Sequence, residues 1–151
     1  MRTLVDTSVW IRHFSANDSL DLRTLCPVDR RFICLPIYQE ILQGLPDEGA
    51  FRRMREALDA ANIVDDPLPR ERYLEAAQLY RAARRQGLTV RSSVDCLIAA
   101  CAIHHDLVVL HSDRDFAALA RVSMLKEEGA TGEPGGRAHR EPDCRRRICR
   151  G

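Results

Sequence analysis

Short apolar runs alternate along the chain with longer segments in which apolar residues recur at helical spacing. The runs have the length and the β-branched content of buried strands. They lie at residues 2–6, 31–35, 63–64 and 107–110. Because strands that alternate with helices form a parallel sheet covered on both faces, the pattern predicts an α/β fold. We expect a mostly parallel sheet of four to five strands.

Six longer segments are predicted to be helices from their apolar periodicity and their end signals. They span residues 9–14, 36–44, 47–60, 70–86, 94–105 and 113–120. Pro36 suits the first turn of its helix, since that position needs no backbone N–H donor. Thr7 or Ser8 is expected to cap the first helix, and Ser92 or Ser93 the helix that begins at residue 94.

At 151 residues the chain is long enough for one domain with its own core. From Lys126 onward, glycine, proline and arginine replace large apolar residues. Such a segment buries too little apolar surface to offset the entropy that it would lose on ordering. We therefore predict a folded domain at residues 1–125 and a disordered tail at residues 126–151. Removal of residues 127–151 is expected to leave the melting temperature nearly unchanged.

Charge and composition exclude several classes of protein. The net charge is only +1, so the chain lacks an overall basic footprint, and any nucleic-acid binding would rest on local arginine clusters. No stretch approaches the roughly 18 apolar residues of a transmembrane helix, and the N-terminus does not resemble a signal peptide. Cys34, Cys96 and Cys101 fall in predicted buried elements, which favours free thiols and a cytoplasmic location.

Carboxylates lie where predicted strands end and where helices begin. Asp6 follows the first strand, and Asp113 and Asp115 follow the fourth. Glu40 and Asp95 lie in helices among apolar residues. Because the carboxyl ends of parallel strands and the adjoining helix starts meet at one crevice, we expect these acids to converge. Such a cluster repels itself unless cations neutralise it, and all-oxygen ligation suits Mg²⁺ or Mn²⁺. The pattern therefore predicts metal-dependent hydrolysis of phosphodiesters.

Each acid taken alone has a simpler interpretation. Asp113 and Asp115 stand where a helix cap and a first-turn acid belong, and the helix dipole would stabilise both. That interpretation is weaker for Glu40, which lies in mid-helix. It is weakest for Asp95, because burying an acid without a partner costs on the order of several kcal/mol, which a bound metal would offset.

Four motifs together resemble PIN domains, and among these the VapC-type toxins of bacterial toxin–antitoxin pairs. They are, in chain order, Val5-Asp6-Thr7-Ser8-Val9-Trp10, Glu40 in its helix, Arg91-Ser92-Ser93-Val94-Asp95-Cys96-Leu97-Ile98-Ala99-Ala100, and Leu110-His111-Ser112-Asp113-Arg114-Asp115-Phe116. The likeness covers residues 1–125. It implies a three-layer α/β/α sandwich and a Mg²⁺- or Mn²⁺-dependent endoribonuclease that cuts structured RNA such as tRNA or rRNA. It also implies homodimers and inhibition by a VapB-like antitoxin.

The resemblance also implies roles for individual residues. Asp6, Glu40, Asp95 and Asp113 match the catalytic, metal-binding acidic quartet of the family. Asp115 matches an additional acid of the Asp-Arg-Asp-Phe variant and is expected to contact the metal as well.

Two further residues near the predicted site have two interpretations each. Ser8 could orient Asp6 or a metal-bound water through its hydroxyl, or it could cap the first helix. Arg91 could grip the scissile phosphate, or it could pair with an acid and hold its loop.

Other functions remain as alternatives at this stage. The main one is a non-catalytic PIN-like module that binds RNA or a protein, although such a module could dispense with a full set of repelling acids. A phosphate-accepting receiver domain would need a lysine near the pocket, and Lys126, the only lysine, falls in the predicted tail. A phosphatase with an aspartyl nucleophile would prefer an acid at residue 8, where the chain has Ser8.

Overall fold

The computed structural model describes residues 1–15, 17–18 and 20–130. Five strands form one sheet in which every neighbouring pair is parallel. Their bounds are β1 Thr3–Val5, β2 Arg31–Cys34, β3 Asn62–Val64, β4 Val108–His111 and β5 Lys126–Gly129. The order across the sheet is β3-β2-β1-β4-β5. The prediction of a mostly parallel sheet of four to five strands is confirmed.

In the described part of the chain, seven helices connect these strands and cover both faces of the sheet, which gives the predicted α/β/α sandwich. They are α1 Thr7–Phe14, α2 Leu22–Leu25, α3 Leu35–Gln43, α4 Glu48–Asp59, α5 Arg70–Arg85, α6 Ser93–His104 and α7 Arg114–Ala120. A short 3₁₀ helix at Val28–Arg30 leads into β2. Each predicted helix is present, and its ends lie within two residues of the expected ones.

The predicted caps are partly right. Ser92 caps α6, since its side chain accepts the backbone N–H of Asp95. Asp6, rather than Thr7 or Ser8, caps α1. The helix starts earlier than its apolar pattern suggests, because an aspartate that follows a strand accepts the free N–H groups of the first turn as well as a hydroxyl does.

The domain boundary predicted at residue 125 is wrong. Lys126–Gly129 is a strand that pairs along the whole length of β4, so the folded domain reaches at least residue 130. All four residues of β5 are exposed. This strand adds main-chain hydrogen bonds at the edge of the sheet and buries little apolar surface, so its composition did not reveal it. The remainder of the predicted tail, residues 131–151, lies outside the described residues.

The core lies between the sheet and the helices on each face. Leu4, Val5 and Val109 of the central strands are fully buried, as are Ile98 of α6 and Phe116 of α7. Strands with both faces covered read as continuous apolar runs, which is why the sequence revealed them. Among the described residues, no helix combines the length and the apolar character that crossing a membrane requires.

The order of the strands also positions a crevice. The chain moves from β1 outward to β2 and β3, and then returns to place β4 on the other side of β1. The connections therefore diverge between β1 and β4, and in open α/β sheets ligands bind beside the carboxyl ends of the strands at this switch point. Asp6 follows β1 there, and Asp113 follows β4.

Candidate active site

Asp6 stands where β1 ends and α1 begins. Its backbone N–H donates to the carbonyl of Leu110 in β4 at 3.0 Å, which holds it at the switch point. Its Oδ2 accepts the backbone N–H of Ser8 at 2.9 Å and also the Ser8 hydroxyl, in a short contact. Asp6 is only 4% exposed. Burial raises the pKa of its carboxyl, and the hydrogen bonds from Ser8 oppose that rise.

Ser8 connects two sides of the crevice. While its hydroxyl donates to Asp6, its Oγ accepts the backbone N–H of Ser112, in the loop after β4, at 3.0 Å. Ser8 therefore orients Asp6 directly, which is the first of its two predicted roles. The second role, that of helix cap, belongs to Asp6 itself.

Glu40 faces this group from α3. Its Oε2 accepts the hydroxyl of Thr7 at 2.7 Å, and Thr7 is the buried neighbour of Asp6. The hydrogen bond joins α3 to the first turn of α1 and fixes the direction of the Glu40 carboxylate. Sequence reasoning considered Thr7 only as a helix cap, because the chain alone does not show which acid a hydroxyl will reach.

Asp95 lies in the first turn of α6 and is 9% exposed. Its pKa is raised from 3.8 to about 7, chiefly by burial and then by the negative charges of neighbouring acids. Those neighbours are Asp6, Asp113 and Asp115. The carboxylates thus act on one another across the crevice, as their positions in the sequence predicted.

Arg91 holds the other two acids. Asp115 is 1% exposed, and its Oδ2 accepts the backbone N–H groups of Arg91 at 2.7 Å and Ser92 at 3.3 Å. Its Oδ1 accepts Arg91 Nε at 3.1 Å, while Arg91 Nη2 donates to Asp113 at 2.5 Å. These contacts, with the hydrogen bond to Asp115 first, raise the pKa of the guanidinium. Of the two predicted roles for Arg91, the structure shows the pairing that holds the loop before α6.

Three of the acids lie close enough to share a cation. One carboxylate oxygen from each of Asp95, Asp113 and Asp115 lies within 4.8 Å of the other two. The donors are all carboxylate oxygens, which suit a hard divalent ion such as Mg²⁺ or Mn²⁺. The pKa of Asp95 is raised first by burial and then by the charges of the neighbouring acids, and a cation would favour its charged form.

His111, the last residue of β4, also contributes to the site. Its Nδ1 accepts the backbone N–H of Asp113 at 3.2 Å, so its Nε2 carries the proton and faces Glu127 Oε2 at 2.7 Å. The ring also packs on Phe116, with 5.0 Å between centroids. A histidine at the end of a predicted strand could have been identified as a site residue from the sequence. Its partner Glu127, however, lies in β5, which the sequence did not reveal.

Comparison with known proteins agrees with this geometry. The family model of the PIN domain matches residues 3–122. Ribonuclease VapC11 of Mycobacterium tuberculosis (strain CDC 1551 / Oshkosh) is 41% identical over 82% of this chain and 95% of its own length.

Solved structures share the fold. The VapBC structure from Salmonella typhimurium, solved bound to DNA, matches with a TM-score of 0.67 at 18% identity, over 87% of this chain and 99% of that one. VapBC-5 of M. tuberculosis, a member of the VapBC family of toxin–antitoxin systems, matches with a TM-score of 0.59 at 25% identity, over 84% of this chain and 98% of that one. The chain belongs to the PIN-domain family and, within it, to the VapC ribonucleases.

Proposed function

We propose that this protein is a Mg²⁺- or Mn²⁺-dependent endoribonuclease toxin that hydrolyses phosphodiester bonds in structured RNA such as tRNA or rRNA. The observation that carries the proposal is the convergence of Asp95, Asp113 and Asp115 within 4.8 Å, at a crevice where Asp6 adds further negative charge. The resemblance to VapC ribonucleases supplies the class of substrate.

The roles of the acids follow from their positions around the crevice. Asp95 lies at the centre, because three other acids act on its charge. Asp6 and Glu40 stand on the side of α1 and α3, and Asp113 and Asp115 on the side of α7. A divalent ion held among them would lower the pKa of a bound water and stabilise the leaving oxygen of the scissile phosphate. We expect products with a 5′-phosphate and a 3′-hydroxyl.

The residues around the acids fix their directions. Ser8 orients Asp6, Thr7 orients Glu40, and His111 holds the backbone of Asp113. The carboxylate oxygens of Asp115 accept hydrogen bonds mainly from the loop before α6. Asp115 therefore contributes to the site as much by positioning Arg91 as by adding charge. Arg91 is half exposed at the mouth of the crevice and could turn from Asp113 to an RNA phosphate.

The partners follow from the family. The VapBC complexes that share this fold pair such a domain with an antitoxin, and we propose a VapB-like antitoxin for this chain. We also propose a homodimer and a cytoplasmic location. A monomer in light scattering at micromolar concentration would contradict the dimer.

Cleavage of purified total RNA tests the proposed activity. We expect discrete fragments with Mg²⁺ or Mn²⁺, and none with EDTA or with Asp95→Asn. Asp29→Asn is the matched control, because its side chain is 78% exposed at the start of the 3₁₀ helix and lies outside the acidic site. We expect this variant to cleave as the wild type does.

The same experiment separates the alternatives. Full activity of Asp95→Asn would contradict the assignment of the site. Binding of RNA without cleavage by the folded, metal-supplemented protein would favour the non-catalytic module. Mapping of the fragment ends would identify the substrate and test the predicted 5′-phosphate.

A further inference from the structure

A second cluster of possible metal ligands lies at the other end of α6. Asp95 is in the first turn of this helix, His104 is its last residue and His105 is its C-cap. The nine residue steps from Asp95 to His104 correspond to about 14 Å along the helix axis. Asp65, in the turn after β3, completes the cluster. One ligand atom from each of Asp65, His104 and His105 lies within 4.8 Å of the other two.

A buried arginine lies beside Asp65. The side chain of Asp65 is 8% exposed, and its Oδ2 lies 3.2 Å from Nε of the equally buried Arg72. Arg72 in turn makes a short contact with Glu75, which balances its charge. Asp65 Oδ2 and Arg72 Nε form an ion pair without hydrogen-bond geometry, as neither atom has a hydrogen-bond partner among the described residues. On the other side, Asp65 Oδ1 faces His105.

The contact between Asp65 and His105 is not a formed hydrogen bond. Asp65 Oδ1 and His105 Nε2 are 3.1 Å apart, yet Nε2 is buried and has no hydrogen-bond partner of acceptable geometry among the described residues. A buried ring nitrogen in that state is destabilising unless something pairs with it. A carboxylate oxygen and an imidazole nitrogen at this separation can both coordinate one cation placed beside them.

The surroundings favour a cation as well. The carboxyl end of a helix carries partial negative charge, and α6 ends at these histidines. The His104 side chain is exposed and His105 is 28% exposed, so an ion could enter from solvent. The two rings meet edge to face with 4.9 Å between centroids, which keeps them on the same side of the helix end.

We propose that Asp65, His104 and His105 form a binding site for a transition-metal ion of the Zn²⁺ class. Three protein ligands with two imidazole nitrogens leave a fourth position for water, which is the ligand count of an open zinc site. Imidazole ligands favour Zn²⁺ over Mg²⁺, so this site differs in selectivity from the all-oxygen crevice at the start of α6. The bound ion ties the turn after β3 to the end of α6.

The test is Zn²⁺ binding to the full-length, chelator-treated protein in excess Mg²⁺, which occupies the carboxylate crevice without competing for histidine. We expect one equivalent of Zn²⁺ in calorimetry, a rise in melting temperature, and a tetrahedral absorption spectrum when Co²⁺ replaces Zn²⁺. His104→Ala and His105→Ala should each weaken Zn²⁺ binding at least tenfold. Circular dichroism and the melting temperature without metal check that both variants fold. If His105→Ala does not fold, His105→Gln replaces it in the binding measurement.

A matched control excludes the possible zinc ligands in the last part of the chain. His139, Cys144 and Cys149 lie outside the described residues, and a variant with His139→Ala, Cys144→Ser and Cys149→Ser should bind Zn²⁺ as the wild type does. Zn²⁺ affinity that is unchanged in the folded His104 and His105 variants would overturn the proposal. So would the absence of binding by the wild type in Mg²⁺, or loss of binding in the control variant. RNA cleavage does not enter the readout, so this result is independent of the proposed activity.

Discussion

The buried carboxylate of Asp95 is destabilising in its charged form. An aspartate at the start of a helix is normally stabilised as a carboxylate by the helix dipole. Here burial and the charges of three other acids outweigh that effect and raise the pKa to about 7. In the unfolded chain the same carboxyl titrates near 3.8. Between these two pH values the folded protein binds the proton more tightly than the unfolded chain, so metal-free stability falls as the pH rises.

We predict that Asp95→Asn stabilises the metal-free protein at alkaline pH. A pKa raised from 3.8 to about 7 corresponds to roughly 4 kcal/mol of lost stability above pH 7, and to much less at pH 5. Asparagine carries no charge and removes this penalty. Thermal unfolding in EDTA at pH 5 and pH 8 measures the difference. An equal gain at both pH values would show that the raised pKa is not its cause.

Arg91 competes with any cation for the same carboxylates. Its guanidinium donates to both Asp113 and Asp115 in the metal-free structure. We predict that Arg91→Ala binds Mn²⁺ several-fold more tightly in calorimetry, because a positive charge leaves the crevice, while RNA binds more weakly. Arg114→Ala is the control, since it removes the same charge from an exposed position between Asp113 and Asp115. Weaker Mn²⁺ binding by Arg91→Ala alone would show that the loop, rather than the charge, dominates.

The convergence of Asp6, Asp95, Asp113 and Asp115 was predictable from the sequence, but most of the groups that orient the acids were not. Their positions after strands and at helix starts depend on local patterns, which the chain displays directly. The hydroxyl that reaches Glu40 comes from Thr7, 33 residues away, and Glu127 reaches His111 from another strand. Such pairs are set by the register and the packing of elements, which short motifs do not encode.

Among the elements, α6 and α7 are joined at their first turns by one carboxylate. Asp115 belongs to α7 and accepts the backbone N–H groups of Arg91 and Ser92, just before α6 begins. Asp113 caps α7 and also contacts Arg91. The starts of the two helices are therefore connected, and they place Asp95 and Asp113 at the crevice.

We predict that Asp115→Asn destabilises the protein by about 2–3 kcal/mol. Asparagine keeps one carbonyl oxygen but turns an NH₂ group toward N–H donors, which leaves buried groups unpaired. Chemical denaturation measures the loss, and hydrogen exchange of the Arg91 and Ser92 amides locates it. Asp113→Asn, whose side chain is 36% exposed, should cost less than about 1 kcal/mol. Equal losses in the two variants would contradict a special role for Asp115.

Elements buried on both faces were the easiest to predict. β1, β2 and β4 read as apolar runs, and α6 is buried along most of its length. β5 has the sequence Lys-Glu-Glu-Gly and exposes all four residues, so neither alternation nor hydrophobicity marks it as a strand. It forms because β4 offers an unpaired edge next to it in space.

At the scale of the whole molecule, β5 forms one edge of the sheet and contacts the candidate active site. Ala130 N–H donates to the carbonyl of His111 at 2.6 Å, and Glu127 meets the ring of that histidine. On the other side, Arg12 of α1 donates to the carbonyl of Ala130 at 2.7 Å and to Ser112 Oγ at 3.0 Å. The loop between β4 and α7, which carries Asp113, is thus held between α1 and the last strand.

Two truncations therefore differ in their expected effect. A chain that ends at Ala130 keeps β5 and should melt within about 2 °C of the full-length protein, whereas a chain that ends at Leu125 loses the strand. At about 1 kcal/mol for each net hydrogen bond, removal of the pairing with β4 should cost roughly 3 kcal/mol, or a fall of about 10 °C in melting temperature. Thermal unfolding of both chains beside the full-length protein measures this.

The shorter chain should also cleave RNA more slowly, because His111 and the Asp113 loop lose their support. Equal melting of all three chains would restore the boundary at residue 125 and show that β5 does not stabilise the fold.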